Sequence, residues 1–158
     1  MRIISGYLKG KKIDLPKDDL TRPLKDMVKE SIFNIIEHSN DINSELKEAV
    51  VLDLFSGTGS FGLECISRGA KKVIFNESYN IAIEILEKNI KNLNCENKCQ
   101  ILKSDCFNLL KNFNEKVDII FMDPPFKEEK INELIISIME ANILKQNALI
   151  IIHRNKKN

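Results

Sequence analysis

The 158-residue chain has no tryptophan, only four prolines and only six glycines, too few for a collagenous or low-complexity protein. No apolar run approaches the roughly 18 residues of a membrane span, and MRIISGYLKGKK lacks the long apolar stretch of a secretory signal. The four cysteines, Cys65, Cys95, Cys99 and Cys106, hold one close pair but no CxxC and no adjacent histidine. They read as reduced structural thiols of a cytoplasmic protein, not as a disulfide framework or a metal site. Charge of one sign is also missing, since the formal net charge is +1. Its distribution is uneven: residues 1–12 carry Arg2, Lys9, Lys11 and Lys12 without an acid, and residues 145–158 carry Lys145, Arg154, Lys156 and Lys157 without one. Two basic ends point to a polyanionic partner, against the plainer reading of solvated termini.

What is present is a repeating pattern. From residue 50, VVLDLF (50–55), KVIFNE (72–77), CQILKSD (99–105), VDIIFMD (117–123) and ALIIIH (148–153) are nearly continuous apolar runs, as strands buried on both faces require. Between them SFGLECISRG, YNIAIEILEKNIKNL, CFNLLKNF and EEKINELIISIMEAN place apolar residues at helical spacing. Strand and helix in alternation predict an α/β fold, a mostly parallel sheet with helices on both faces. Residues 1–49 form an appendage to it: a short β-hairpin turning near Gly10, then a helix begun near Pro23 with Met27, Val28, Ser31, Ile32, Ile35 and Ile36 on one face. The whole, 1–158, is of a size for one domain, which buries roughly 70% of its unfolded surface.

In such sheets ligands bind outside the carboxyl ends of the strands. The first strand runs into DLFSGTGSFG, in which residues 57–62 satisfy GxGxxG; no GK[ST] follows, which excludes a P-loop. Asp53 at this end suits a cationic or hydroxyl-bearing ligand better than a pyrophosphate. Glu77, ending the second strand, can accept both hydroxyls of a ribose or can simply start a helix. Asp105, ending the third, can accept from an adenine amino group or N-cap the next helix. Three acids at three successive strand ends favour a nucleoside without phosphate, and S-adenosylmethionine fits that description. The fourth strand ends in FMDPPF, 121–126. Pro124 and Pro125 cannot continue the ladder and hold a stiff extended turn. If Asp123 and the carbonyl of Pro124 each accept one N–H of a nucleobase amine, the nitrogen can pyramidalise and aim its lone pair at a methyl group, with Phe126 as a stacking face.

DLFSGTGSFGLE, the Glu77 strand end, Asp105 and DPPF, in this order, resemble the class I methyltransferases that modify exocyclic amines. With RIISGYLKGKKI, TRPLKDMVKESIFNII and LECISRGAKKVIF, the chain is similar over nearly its whole length to the RsmD-like family, which methylates guanine N2 in bacterial 16S ribosomal RNA. The resemblance implies a Rossmann-like class I methyltransferase fold and S-adenosylmethionine as cofactor. It places Thr21, Arg22 and Pro23 over the pocket, Asp53, Gly57 and Gly59 around the methionine moiety, Glu77 on the ribose, and Asp105 with Cys106 on the adenine. Catalysis falls to Asp123, Pro124, Pro125 and Phe126, and RNA contact to Arg2, Lys9, Lys11 and Lys12. The expected partner is 16S rRNA within partly assembled small subunits, met by a cytoplasmic monomer. Ser78 and Tyr79 stand where the family usually has a charged pair, and members usually add an antiparallel strand beyond ALIIIH. Adenine N6 methylation of DNA, and a weakened RNA-binding protein that keeps the fold, are the competing readings.

Overall fold

A computed structural model of the chain describes residues 1–18, 23–125 and 127–154. Five strands, β1 (Val50–Leu54), β2 (Lys72–Asn76), β3 (Cys99–Leu102), β4 (Val117–Met122) and β5 (Leu144–Ile152), form a sheet of order β3-β2-β1-β4-β5. All its pairings are parallel. β1 is buried at every position, as its unbroken apolar run requires. β5 starts at Leu144, earlier than the predicted 148, because an irregularity opposite Val117–Ile119, with Asn147 at φ 63°, carries the pairing across a polar stretch.

Alternate residues of each strand feed opposite faces. Val51, Val73, Phe75, Ile119 and Phe121 pack under α1 (Asp26–His38), α2 (Ser60–Ser67) and α3 (Asn80–Asn92). Leu52, Leu54, Ile74, Ile120 and Met122 pack over α4 (Cys106–Asn112) and α5 (Ile131–Ala141). The chain winds outward from β1 through β2 to β3, then returns to lay β4 on the other side of β1. The strand order therefore reverses between β1 and β4, and the crevice expected at that switch opens at their carboxyl ends.

The N-terminal segment departs from its prediction in two ways. The hairpin is a reversal through residues 5–10 with one antiparallel bridge, Arg2 to Lys12, and no extended ladder. It is held by bonds between its own arms, Ile3 N to Lys11 O at 2.9 Å and Ile13 N to Met1 O at 2.8 Å, and by docking along α2: Tyr7 N donates to Ser67 O at 3.0 Å, and Ile4 N and Ser5 N donate to the Glu64 carboxylate at 2.8 and 3.1 Å. Gly6, at φ +87°, lies so close that a Cβ there would sit 1.9 Å from Ser67 O. The apolar face of α1 also differs in part: Ile36 is buried as predicted and Val28 and Ile32 pack against the core. Met27 and Ile35 are exposed at 80% and 57%, whereas Lys29 and Phe33, off the predicted face, are buried. The cause is the ion pair between Lys29 Nζ and Glu64 at 3.3 Å, both side chains fully buried, which rotates the helix to bring Lys29 inward. Phe33 then stacks on Phe61 and Phe61 on Phe121, at centroid distances of 5.0 and 3.9 Å, tying α1, α2 and β4 into one column.

Candidate active site

The loop between β1 and α2 is built on backbone that side chains rarely adopt. Phe55, Gly57 and Gly59 have φ of 56°, 57° and 95°. For Gly59, the N-cap of α2, a Cβ would meet Leu86 at 2.5 Å, and at Gly62 it would strike the Phe75 ring at 2.3 Å, so both glycines let α2 close onto its neighbours. For Phe55 no such freedom exists, and left-handed backbone in a bulky residue is strain held by its surroundings, a common mark of a binding loop. The loop is braced from β2: Ser56 N donates to Asn76 O at 3.0 Å and Gly57 N to Glu77 Oε1 at 2.8 Å.

Beneath this loop a cavity of about 600 Å³ opens, the size of a nucleoside-type ligand site. Asp53, Ser56, Gly57, Glu77, Asp105, Asp123, Pro124, Pro125 and Pro23 line it, so four strand ends and the lead into α1 meet here. Gly59 and Cys106 are not among the lining residues. Cys106 lies in the apolar cluster on the α4–α5 face, its thiol pushed up to about 12 by burial, then by Asp105 and Glu128. Thr21, Arg22 and Phe126 lie outside the described residues. Asp105 meets both readings: its Oδ1 accepts from Phe107 N and Asn108 N as the N-cap of α4, and the residue also faces the cavity.

Asp53 is the most deeply buried of the acids that line the cavity. Its Oδ2 accepts from Gly62 N at 3.1 Å, while Oδ1 and the hydroxyl of Ser56 are buried with no partner among the described residues. Burial raises its pKa well above the carboxylate range; the Gly62 N–H opposes this, and the Asp123 and Glu77 carboxylates add to it. Unpaired buried polar atoms are costly, so these two call for a ligand that donates hydrogen bonds or carries positive charge. The ammonium and sulfonium of S-adenosylmethionine meet that demand, and phosphate would aggravate it. Glu77 Oε2 already accepts from Ser78 N and Tyr79 N at 2.9 and 3.0 Å, so Glu77 braces the lead into α3, which it does not cap, and faces the cavity.

Several lining residues had no role assigned from the sequence: Leu24, Phe55, Phe61 and Glu128. Tyr79 is held by its hydroxyl, which donates to Asp18 Oδ2 at 2.8 Å. His153 was likewise unnoticed, though its Nδ1 lies 2.8 Å from Asp123 Oδ1. The only available signal was one histidine ending an apolar strand that neighbours DPPF. Of the basic residues, Arg2, Lys9, Lys11 and Lys12 do not line the cavity; Arg2 Nη1 donates to Gly10 O at 2.8 Å and Lys12 pairs with Asp14 at 3.7 Å. No group of acids, cysteines and histidines that could hold a metal occurs among the described residues, and no helix among them is long and apolar enough to cross a membrane.

Comparison with known proteins gives matches over nearly the whole of this chain and about four fifths of the relatives. The family model described as conserved hypothetical protein 95 matches residues 1–158. Ribosomal RNA small subunit methyltransferase D of Haemophilus influenzae is 33% identical over 159 residues, covering 99% of this chain and 79% of that protein. Its namesake in Buchnera aphidicola subsp. Baizongia pistaciae is 34% identical over 154 residues, covering 98% and 76%. The solved structure of the Escherichia coli protein yhhF superposes with a TM-score of 0.86 at 30% identity, covering 100% of this chain and 82% of that one.

Proposed function

The chain belongs to the conserved hypothetical protein 95 family, and from that premise we propose that it transfers a methyl group to the exocyclic N2 amine of a guanine in 16S ribosomal RNA. Its fold is the Rossmann-like class I methyltransferase fold, whose methyl donor is S-adenosylmethionine. The observation that carries the reading is the meeting of Asp123 and the Pro124–Pro125 turn with Asp53 and Glu77 around one cavity. An acceptor pair on stiff backbone faces the same space as a cation-seeking acid.

When bound, S-adenosylmethionine supplies an electrophilic methyl on its sulfonium. Asp53 and the glycine turn at Gly57 hold the amino acid end, Glu77 the ribose hydroxyls and Asp105 the adenine side. Pro23 closes the cavity from the α1 side. Asp123 accepts one N–H of the guanine amine and the Pro124 carbonyl accepts the other. Both acceptors matter most as positive charge develops on nitrogen, so they act on the transition state more than on binding. Pro124 is buried and Pro125 exposed, so the turn is seated on one side and open on the side a base must enter.

The RNA partner is reached by Arg2, Lys9, Lys11 and Lys12 beside α2 and by the basic residues that follow β5. Phosphate contacts of this kind give affinity without sequence. A loop held in shape by ribosomal proteins supplies the missing specificity, and partly assembled small subunits are therefore the better substrate, met by a cytoplasmic monomer. Labelled S-adenosylmethionine with naked 16S rRNA or with partly assembled subunits, followed by mass spectrometry of the nucleosides, tests this. N2-methylguanosine supports it; N6-methyladenosine, or label on protein alone, overturns it.

A further inference from the structure

One residue past β4 stands Asp123, and one residue past the neighbouring β5 stands His153. The strand register pairs Met122 with Ile152, and His153 N donates to Met122 O at 2.9 Å, so the two residues leave the sheet side by side. Their side chains meet above it, with His153 Nδ1 2.8 Å from Asp123 Oδ1 and both groups largely shielded, at 22% and 11% exposure. Arg154 Nη2 reaches the Glu128 carbonyl at 3.3 Å, which pins the same end of β5 to the loop that follows Pro125.

We propose that His153 is a positioning residue for methyl transfer, orienting the Asp123 carboxylate through its Nδ1–H. This rests on the reading of Asp123 as the acceptor for the guanine amine. An ionised carboxylate only accepts hydrogen bonds, so the pairing assigns the proton to Nδ1. The torsion that turns a carboxylate about its Cβ–Cγ bond is broad and soft, so each hydrogen bond to it narrows the arc it samples. Holding Oδ1 on an imidazole anchored by its own backbone narrows that torsion, and with it the direction Oδ2 presents to the cavity. The pair is not needed to hold β5 in place, because the ladder and the His153 N–H already do so. What the side chain adds is orientation, and misplacement of a reacting group by about 1 Å can cost on the order of 10² in rate.

The test is single-turnover methyl transfer to partly assembled small subunits by the full chain, with S-adenosylhomocysteine affinity measured for every variant. His153→Ala should slow transfer about tenfold to a hundredfold while that affinity stays within about twofold. His153→Asn, whose amide nitrogen falls where Nδ1 was, should recover the rate to within about threefold of the parent chain. Should the alanine variant fail to bind S-adenosylhomocysteine, His153→Gln, which fills the space but carries its amide at the Nε2 position, takes its place and should be as slow. Since His153 acts through Asp123, adding His153→Ala to Asp123→Ala should cost less than about twofold more. The proposal is overturned alone if the alanine variant keeps its rate within about threefold, if asparagine is as slow as alanine, or if the two losses multiply. An unmodified chain that methylates no RNA overturns the parent reading and this one together.

Discussion

Gly57 and Glu77 are joined by a hydrogen bond of 2.8 Å from the Gly57 backbone N–H to Glu77 Oε1. The acid that faces the candidate ribose site is thus also the strut of the glycine turn, and Glu77→Ala removes both at once. We expect it to weaken S-adenosylmethionine binding by about 1 to 3 kcal/mol, the range for stranding partners of a charged hydrogen bond. Titration calorimetry showing unchanged affinity would sink the assignment of Glu77.

Asp53 links the site to stability through pH. Its folded pKa is raised, chiefly by burial, so its contribution to stability is present below the unfolded value of about 3.9 and is lost as pH rises through the folded value. Asp53→Asn keeps an oxygen for the Gly62 N–H and removes the charge. The ligand-free variant should therefore melt higher than the parent chain at pH 8 and gain little at pH 4, while its melting point no longer responds to S-adenosylmethionine. Thermal scans at the two pH values decide it, and a variant less stable at both would contradict the desolvation argument.

Asp123 should matter to the rate far more than to the cofactor. Asp123→Ala is expected to lower single-turnover methyl transfer by on the order of 10² to 10⁴, with S-adenosylmethionine affinity nearly intact. A fall of less than about tenfold in rapid-quench measurements would make the carboxylate structural.

Lys29 is the clearest stability determinant outside the cavity. Its Nζ lies 3.3 Å from Glu64, with which Arg68 Nε also pairs at 2.9 Å. Breaking a buried pair costs about 3 to 5 kcal/mol because a charge is left uncompensated. Arg68 and the N–H groups of Ile4 and Ser5 still face Glu64, so Lys29→Met should fall near the low end, about 3 kcal/mol in urea unfolding. A loss below about 1 kcal/mol would show that the pair adds little beyond its desolvation cost.

The strands and the second to fifth helices were legible because a sheet buried on both faces writes continuous apolar runs, and its covering helices write a period near four. The N-terminal helix was legible as a helix but its full buried face was not, since a buried Lys29 looks polar to any hydrophobic pattern and its partner Glu64 is 35 positions away in sequence. DPPF and the acids at Asp53, Glu77 and Asp105 were legible as strand endings, whose place in an α/β sheet is fixed by topology. Phe55 at positive φ and His153 beside Asp123 were invisible for another reason. The first is a backbone state no side chain announces, and the second is a contact across two strands about 30 residues apart in sequence.

The hairpin makes the last prediction geometrical. Met1 Sδ accepts from the Ser60 hydroxyl at 3.0 Å, at the cavity end of α2, whereas Tyr7 N bonds Ser67 O at its far end, a run of roughly 10 Å at 1.5 Å per residue. The base of the hairpin is therefore beside the cavity, and its turn, with Lys9, lies one helix-length away. An RNA strand whose base enters the cavity must run along α2 to meet these lysines. Lys12 shares its charge with Asp14 at 3.7 Å, an exposed pair that a phosphate can replace at little cost. Replacing Lys9, Lys11 and Lys12 by Ala should weaken RNA binding and flatten its log-log salt dependence by about 2 units, at about 0.7 per contact on a single strand, leaving S-adenosylmethionine affinity unchanged. Anisotropy titrations across a salt series measure the slope. A change below about half a unit would show that the hairpin lysines touch no phosphate and would move the RNA path to the β5 side of the cavity, where Arg154 stands.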